Sequence, residues 1–403
     1  MTKLSNPIKG CILPWIHMHG NITGQYKVCC VSTGATTENM YNFGTHNESL
    51  LDVWNNEHYK NIRKQFLNNE IPIQCKKVCY DKEQEGGHSH RQEINQYWNN
   101  KVFLQAKTSA NGTIKTPPIY FDIRFGNICN FRCRMCSSFA SSQLQAEDRL
   151  LKKTVYPITD MWTNNDNLWK NLEKFLPYIE QIYFGGGEPL IQEGHYKLLH
   201  FLIENNKTDI RIEYNTNLSI LNYKTENIFD LWKNFKNVKL FISQDGFKEV
   251  GEYIRKGLNW EVFDSNFKKV IPYVETISCV AQVYNIYNIP KLMFYCKQQY
   301  KIDFYPSILT SPEEFSIQIL SRKEKNKIIK HYKDFIKNSN YKDWEIKRLL
   351  SMLKFMKHEP DNKKELQQEF KIRTQFLDQY RNENFIEIVP ELAEWYKSIK
   401  VLA

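Results

Sequence analysis

Residues 119–138 read IYFDIRFGNICNFRCRMCSS. A β-rich run over 119–125 leads directly into Cys129, Cys133 and Cys136, spaced C-x3-C-x2-C. Three thiolates on one tight loop suit three irons of a [4Fe–4S] cubane and leave the fourth iron open. An open iron binds a substrate or cofactor, whereas a fully ligated cluster carries electrons. A zinc knuckle would want a fourth ligand and usually a second C-x2-C pair, and none lies nearby in the chain.

Outward from this loop, further strand-like runs occur at 179–184, 210–214, 238–243, 276–284 and 302–305. Amphipathic helical patterns at 196–204, 228–235, 263–274 and 292–299 lie between them. Strands alternating with helices predict a parallel sheet. Six such units are too few for a closed eight-fold barrel and suit a partial one, open on one side. The fold class is therefore α/β, a partial (β/α)6 TIM-like barrel over 116–310. Residues 311–403 hold no cysteine and predict helices near 323–337, 344–357, 364–380 and 391–399, with Pro390 at a helix start. These helices would either close the open side or offer a partner surface.

The cysteine loop after a first strand resembles the radical S-adenosylmethionine (SAM) superfamily. The resemblance extends to IYFGGGEPL at 182–190, where Gly186, Gly187 and Glu188 match the family's Gly-Gly-Glu motif. That motif implies a seat for the amino group of SAM: glycines permit close backbone approach and a carboxylate suits an ammonium. YNTN at 214–217 and FISQDG at 241–246 resemble the third and fourth strand ends. They offer Asn215, Ser243 and Asp245 toward the ribose and carboxylate of SAM. Arg255, in YIRKG, would meet that carboxylate or stand exposed on a helix. Met135 stands where relatives often have an aromatic residue beside the adenine. The implied chemistry is reductive cleavage of SAM to methionine and a 5′-deoxyadenosyl radical, followed by hydrogen abstraction. Strand C-termini are where barrel enzymes assemble such sites.

The first 115 residues hold five of the ten cysteines. Cys11-x12-Gly24-x4-Cys29, with a later Cys75-x3-Cys79, resembles the SPASM/Twitch auxiliary-cluster modules, placed here before the barrel instead of after it. The resemblance implies that Cys11, Cys29, Cys75 and Cys79 hold a second [4Fe–4S] cluster. Cys30 competes with Cys29, and structural zinc with His17 or His19 is the alternative. The run EGGHSHR at 85–91, just beyond Cys79, reads first as an exposed loop, with cover for the cluster or contact with substrate as the alternative. Cys279, on the fifth predicted strand, is either a core residue or a hydrogen donor to a substrate radical. Cys296 lies on an apolar helical stripe.

The formal charge of +10 comes from scattered lysines, and bound anionic clusters would reduce it, so nucleic acid is not an expected partner. The N-terminus lacks an apolar signal core and no stretch is long enough to span a bilayer. The expectation is a cytoplasmic enzyme, reduced by a flavodoxin or ferredoxin and without a membrane. Its substrate would be a peptide or protein side chain, or else a small sugar, amino acid or nucleotide. A non-catalytic iron–sulfur or zinc scaffold is the remaining class. Glu188 and the open three-cysteine site argue against it.

Overall fold

The computed structural model describes residues 8–32, 43–338 and 340–401. Eight strands form the main sheet: β1 His17–Gly20, β2 Tyr26–Lys27, β3 Tyr120–Ile123, β4 Gln181–Phe184, β5 Arg211–Thr216, β6 Asn237–Ser243, β7 Val274–Ala281 and β8 Phe304–Ile308. Their order across the sheet is β8-β7-β6-β5-β4-β3-β1-β2. Every neighbouring pair is parallel except β1 and β2.

From β3 to β8 this is the predicted strand–helix alternation. The connecting helices are Asp166–Phe175, Glu193–Glu204, Ile228–Trp232, Trp260–Val270 and Ile289–Tyr300. Three begin on an asparagine whose side chain accepts a backbone N–H of the first turn: Asn165 from Leu168, Asn227 from Phe229 and Asn259 from Val262, at 2.9, 2.9 and 3.0 Å. One face of each strand buries apolar residues against these helices, as with Ile182, Phe184, Ile212 and Tyr214. The alternate residues face inward and are strongly polar.

The N-terminal segment is not a separate layer. β1 joins the exposed edge of β3 in parallel register, His17 opposite Tyr120 and Gly20 opposite Ile123. The sheet thus extends from six predicted strands to eight. The segment between β2 and β3 packs beneath this extension. It is held by Arg63, which is fully buried and donates to the carbonyls of Pro14 and Trp54 at 2.8 Å each.

The C-terminal helices close the open side. Helix Asp343–Lys357 lies along β8, with Glu345 Oε1 accepting Phe304 N–H at 2.9 Å and Arg348 stacked 3.7 Å from the Tyr305 ring centre. Across the gap it reaches the N-terminal segment, where Arg348 Nη2 donates to Glu93 at 2.8 Å and Ser351 Oγ to the Gly86 carbonyl at 2.5 Å. Among the described residues no helix is long and apolar enough to cross a membrane.

Candidate active site

All ten cysteines are free thiols. The loop carrying Cys129, Cys133 and Cys136 follows β3 and is shaped by Asn127. That side chain donates to the carbonyls of Ser138 and Pro157, both at 2.8 Å, and accepts Thr159 N–H at 3.0 Å. Arg132–Cys133 then pairs antiparallel with Arg255–Lys256, placing Cys133 opposite Arg255. The three thiols lie within electrostatic reach of one another. Burial, reinforced by the neighbouring thiols, pushes Cys129 and Cys136 up to about 12. Such a thiol stays protonated near neutral pH unless a cation binds it.

Arg255 is the positive partner of this loop. Its Nη1 lies 2.6 Å from Asp245 Oδ2, and its Nε is buried without a hydrogen-bond partner. Asp245 is itself fixed by Val280 N–H on Oδ1 at 2.8 Å. Arg255 is thus the side chain of an adjacent β-ladder and not an exposed helical arginine. An orphaned, buried guanidinium N–H beside three thiols fits an anionic cluster or a carboxylate.

The glycine loop after β4 presses directly on the cysteine loop. Glu188 N–H donates to the Ile128 carbonyl at 2.9 Å. Gly187 has φ +47°, and a Cβ there would stand 2.3 Å from that same carbonyl oxygen. Gly187→Ala is therefore expected to push the two loops apart and to lower iron retention in the three-cysteine site, read as iron content and thermal midpoint. The Glu188 carboxylate is buried and accepts Thr216 Oγ1 at 2.7 Å, Asn217 N–H at 2.7 Å and Leu190 N–H at 3.1 Å. Burial pushes its pKa up. It ties the loop to the end of β5, and with three acceptor sites engaged it keeps about one of its four lone-pair positions for an ammonium.

Asn215, Ser243, Asp245 and Arg255 all line one cavity of about 1170 Å³. Met135 sits partly buried against the core. The cavity runs from these strand ends through the barrel, between Tyr183, Arg211, Glu213, Phe241 and Ser278, to the N-terminal segment. Cys279 does not line it. Strand alternation puts Ser278 and Val280 on the cavity side and Cys279 on the other, fully buried near Cys296 and Asn285. The hydrogen-donor expectation for Cys279 therefore fails on orientation. Cys296 is buried packing as expected.

Cys11, Cys29, Cys75 and Cys79 are all buried, and the cavity wall takes in Cys30 and Val78, next in the chain to Cys29 and Cys79. Burial pushes the Cys29 thiol up, and Cys30, Cys75, Cys11 and Cys79 add to it. Cys79 lies on a π-helical turn, Lys76–Asp81, just after Cys75. Gly24 has φ +77°, and a Cβ there would stand 2.3 Å from His46 Nδ1, so this turn excludes larger residues. Cys30 lines the cavity, and burial pushes its thiol up, with Arg124, Asp122 and Cys79 within electrostatic reach. His17 and His19 share a face of β1 directed at Asp122, whose Oδ2 lies 2.9 Å from His19 Nδ1. Neither histidine joins the thiols. Among the described residues no three metal-binding side chains converge tightly enough for a single ion.

EGGHSHR is not an exposed loop. Ser89 is fully buried, capping helix His90–Tyr97, and His88 and His90 line the cavity. Sequence reasoning also misses Lys82, Arg211 and Glu213. The polar alternation Arg211, Glu213, Asn215 within an otherwise buried strand is the available signal for the last two.

The radical SAM superfamily profile matches residues 123–290, and that of an iron–sulfur cluster-binding domain, SPASM, matches residues 11–80. The chain thus carries a radical SAM domain, with a SPASM-type iron–sulfur module ahead of it. Its cofactors are a SAM-binding [4Fe–4S] cluster, an auxiliary cluster and SAM. Among solved structures it is similar to SuiB of Streptococcus suis bound to S-adenosylmethionine, with 17% identity and a TM-score of 0.36, over 62% of this chain and 51% of that one. SuiB bound to precursor peptide SuiA gives 15% identity and 0.39, over 62% and 52%. Histidine-tagged anSMEcpe with bound AdoMet gives 22% identity and 0.38, over 54% and 60%. The matched region thus spans between half and three-fifths of these chains. No curated protein matches the chain.

Proposed function

We propose that this protein cleaves SAM reductively and abstracts hydrogen from a peptide or protein side chain held in the barrel cavity. The observation that carries the reading is the continuous cavity of about 1170 Å³, lined by the SAM-facing Asn215, Ser243, Asp245 and Arg255 and also by Cys30 and Val78, the chain neighbours of the auxiliary Cys29 and Cys79. Its volume exceeds the roughly 300–1000 Å³ of ordinary small-ligand pockets, leaving space beside SAM for a substrate segment.

When bound, the cluster and SAM supply an electron and a 5′-deoxyadenosyl radical. The chain's own residues hold and shield that chemistry. Cys129, Cys133 and Cys136 hold the cluster. Arg255, oriented by Asp245, holds the SAM carboxylate. Glu188 and the Gly186–Gly187 backbone seat its ammonium, while Asn215 and Ser243 meet the ribose and Met135 borders the adenine. Cys11, Cys29, Cys75 and Cys79 hold the auxiliary cluster, leaving Cys30 free in the cavity wall. The closing helix Asp343–Lys357 excludes water from the middle of the cavity. A cytoplasmic setting, with a flavodoxin or ferredoxin as reductant, fits a chain whose cysteines form no disulfide.

The test is anaerobic reconstitution, which should give about eight irons per chain if both sites hold cubanes. Reduced enzyme with SAM should then release 5′-deoxyadenosine. No release from the fully loaded, strongly reduced enzyme would refute the reading. Acceptance of deuterium-labelled free sugars, amino acids or nucleotides as hydrogen donors, with peptides inert, would transfer it to small molecules.

A further inference from the structure

Lys82 lines the cavity just beyond Cys79. Its ammonium makes no hydrogen bond or ion pair among the described residues; burial lowers its pKa, with Glu93 and Cys79 within electrostatic reach acting the other way. The nearby carboxylates are engaged. Glu93 accepts Arg348 Nη2 at 2.8 Å and stands 3.5 Å from His88 Nε2. Glu83 is paired with Arg91 and Ser89. Asp122 is held by both Arg124 Nε and Nη2, at 3.1 Å each. His88 registers the resulting field: burial, then Arg348 and Lys82, push it down to about 4.

A cation held partly out of water without a counter-ion is stabilised by an anion supplied from elsewhere. We propose that the cavity binds a carboxylate of the substrate, with Lys82 as its counter-ion and Arg348 beside it. The inference rests on reading the cavity as the substrate site. A single unmatched positive charge fits a monoanionic carboxylate. Thr310 and Ser311 line the same cavity and offer hydroxyls to the flanking backbone. An acidic peptide side chain would thus anchor near the auxiliary cluster while its neighbours extend toward SAM.

The experiment is calorimetric titration of the cluster-loaded enzyme with three probes: acetyl-Gly-Gly-Glu-Gly-Gly-amide, its Gln counterpart and butyrate. The Glu peptide should bind at least about ten-fold more tightly than the Gln peptide, the contribution expected of one charged hydrogen bond. Lys82→Met should remove that preference and Lys82→Arg should retain most of it, with iron content reporting intact loading. Butyrate binding as tightly as the Glu peptide, with the same Lys82 dependence, would support the site and assign it to a small acid. Equal binding of Glu and Gln peptides to the unmodified enzyme overturns the proposal, and this comparison stands even where Lys82→Met fails to fold. An enzyme that releases 5′-deoxyadenosine but ignores the carboxylate defeats this inference alone, whereas absence of 5′-deoxyadenosine defeats the reading beneath it.

Discussion

Cys133→Ala is expected to halve the iron content, from about eight to about four per chain, and to abolish release of 5′-deoxyadenosine. Cys133 is the middle ligand of its loop and the one in register with Arg255, so its loss removes an iron ligand and uncouples the loop from that guanidinium. No neighbouring side chain replaces it: the nearest carboxylates, Glu188 and Asp245, are held by three hydrogen bonds and by Arg255 and Val280 respectively. Cys79→Ala should also bring iron to about four, but from the other site, and should spare at least slow SAM cleavage while turnover of substrate is lost. Iron assay, electron paramagnetic resonance of the reduced protein and chromatography of the nucleoside separate the two. Persistent cleavage in Cys133→Ala would remove the loop from the chemistry.

Arg134→Ala is expected to be the most destabilising single change near the site, by roughly 3–5 kcal/mol, the cost of breaking a buried ion pair and stranding its partners. Arg134 lies between two of the cluster cysteines, is almost fully buried, and places Nη2 2.6 Å from both Asp378 Oδ1 and Glu383 Oε2. Its Nε donates to the Tyr253 carbonyl at 3.0 Å, and its guanidinium lies 3.6 Å from the Tyr253 ring centre. Alanine would leave Asp378 and Glu383 facing each other across a void and would reduce the tie between the cluster loop and helix Lys363–Arg381 to the Arg373 Nη2 bond to the residue-134 carbonyl, at 3.2 Å. Lys256→Met is the control. Lys256 also meets Glu383, at 2.8 Å, but its side chain is about a third exposed, and pairs of that kind contribute roughly 0–1 kcal/mol. Thermal denaturation of the loaded protein measures both. Equal midpoints for the two variants would show that Arg134 is not the tie between the C-terminal helices and the loop.

The legible parts of the fold are those whose cause is local. The six strands from β3 to β8 show as short apolar runs between amphipathic segments, and the asparagine caps stand at the helix starts. β1 does not show. His-Met-His-Gly has no β-branched run, and it is a strand because it adds to the free edge of β3 some hundred residues later in the chain. EGGHSHR departs from its sequence reading for a related reason. Its glycines and histidines look solvated in isolation, but helix Asp343–Lys357 covers them.

The chemistry at the cysteine loop and the glycine loop is written in the chain itself, because cluster ligation and close backbone approach depend on residues a few positions apart. The existence of a second set of cysteines is equally plain there. Which way side chains face, and what meets across long separations, came only with packing. Packing turned Cys279 away from the cavity, put Cys30 in the cavity wall, and left Lys82 without an ion-pair partner among the described residues. It joined Arg134 to Asp378, 244 residues away. Strand addition and buried charge pairing are settled by which surfaces exclude water together, and that depends on segments whose local sequences carry no mark of one another.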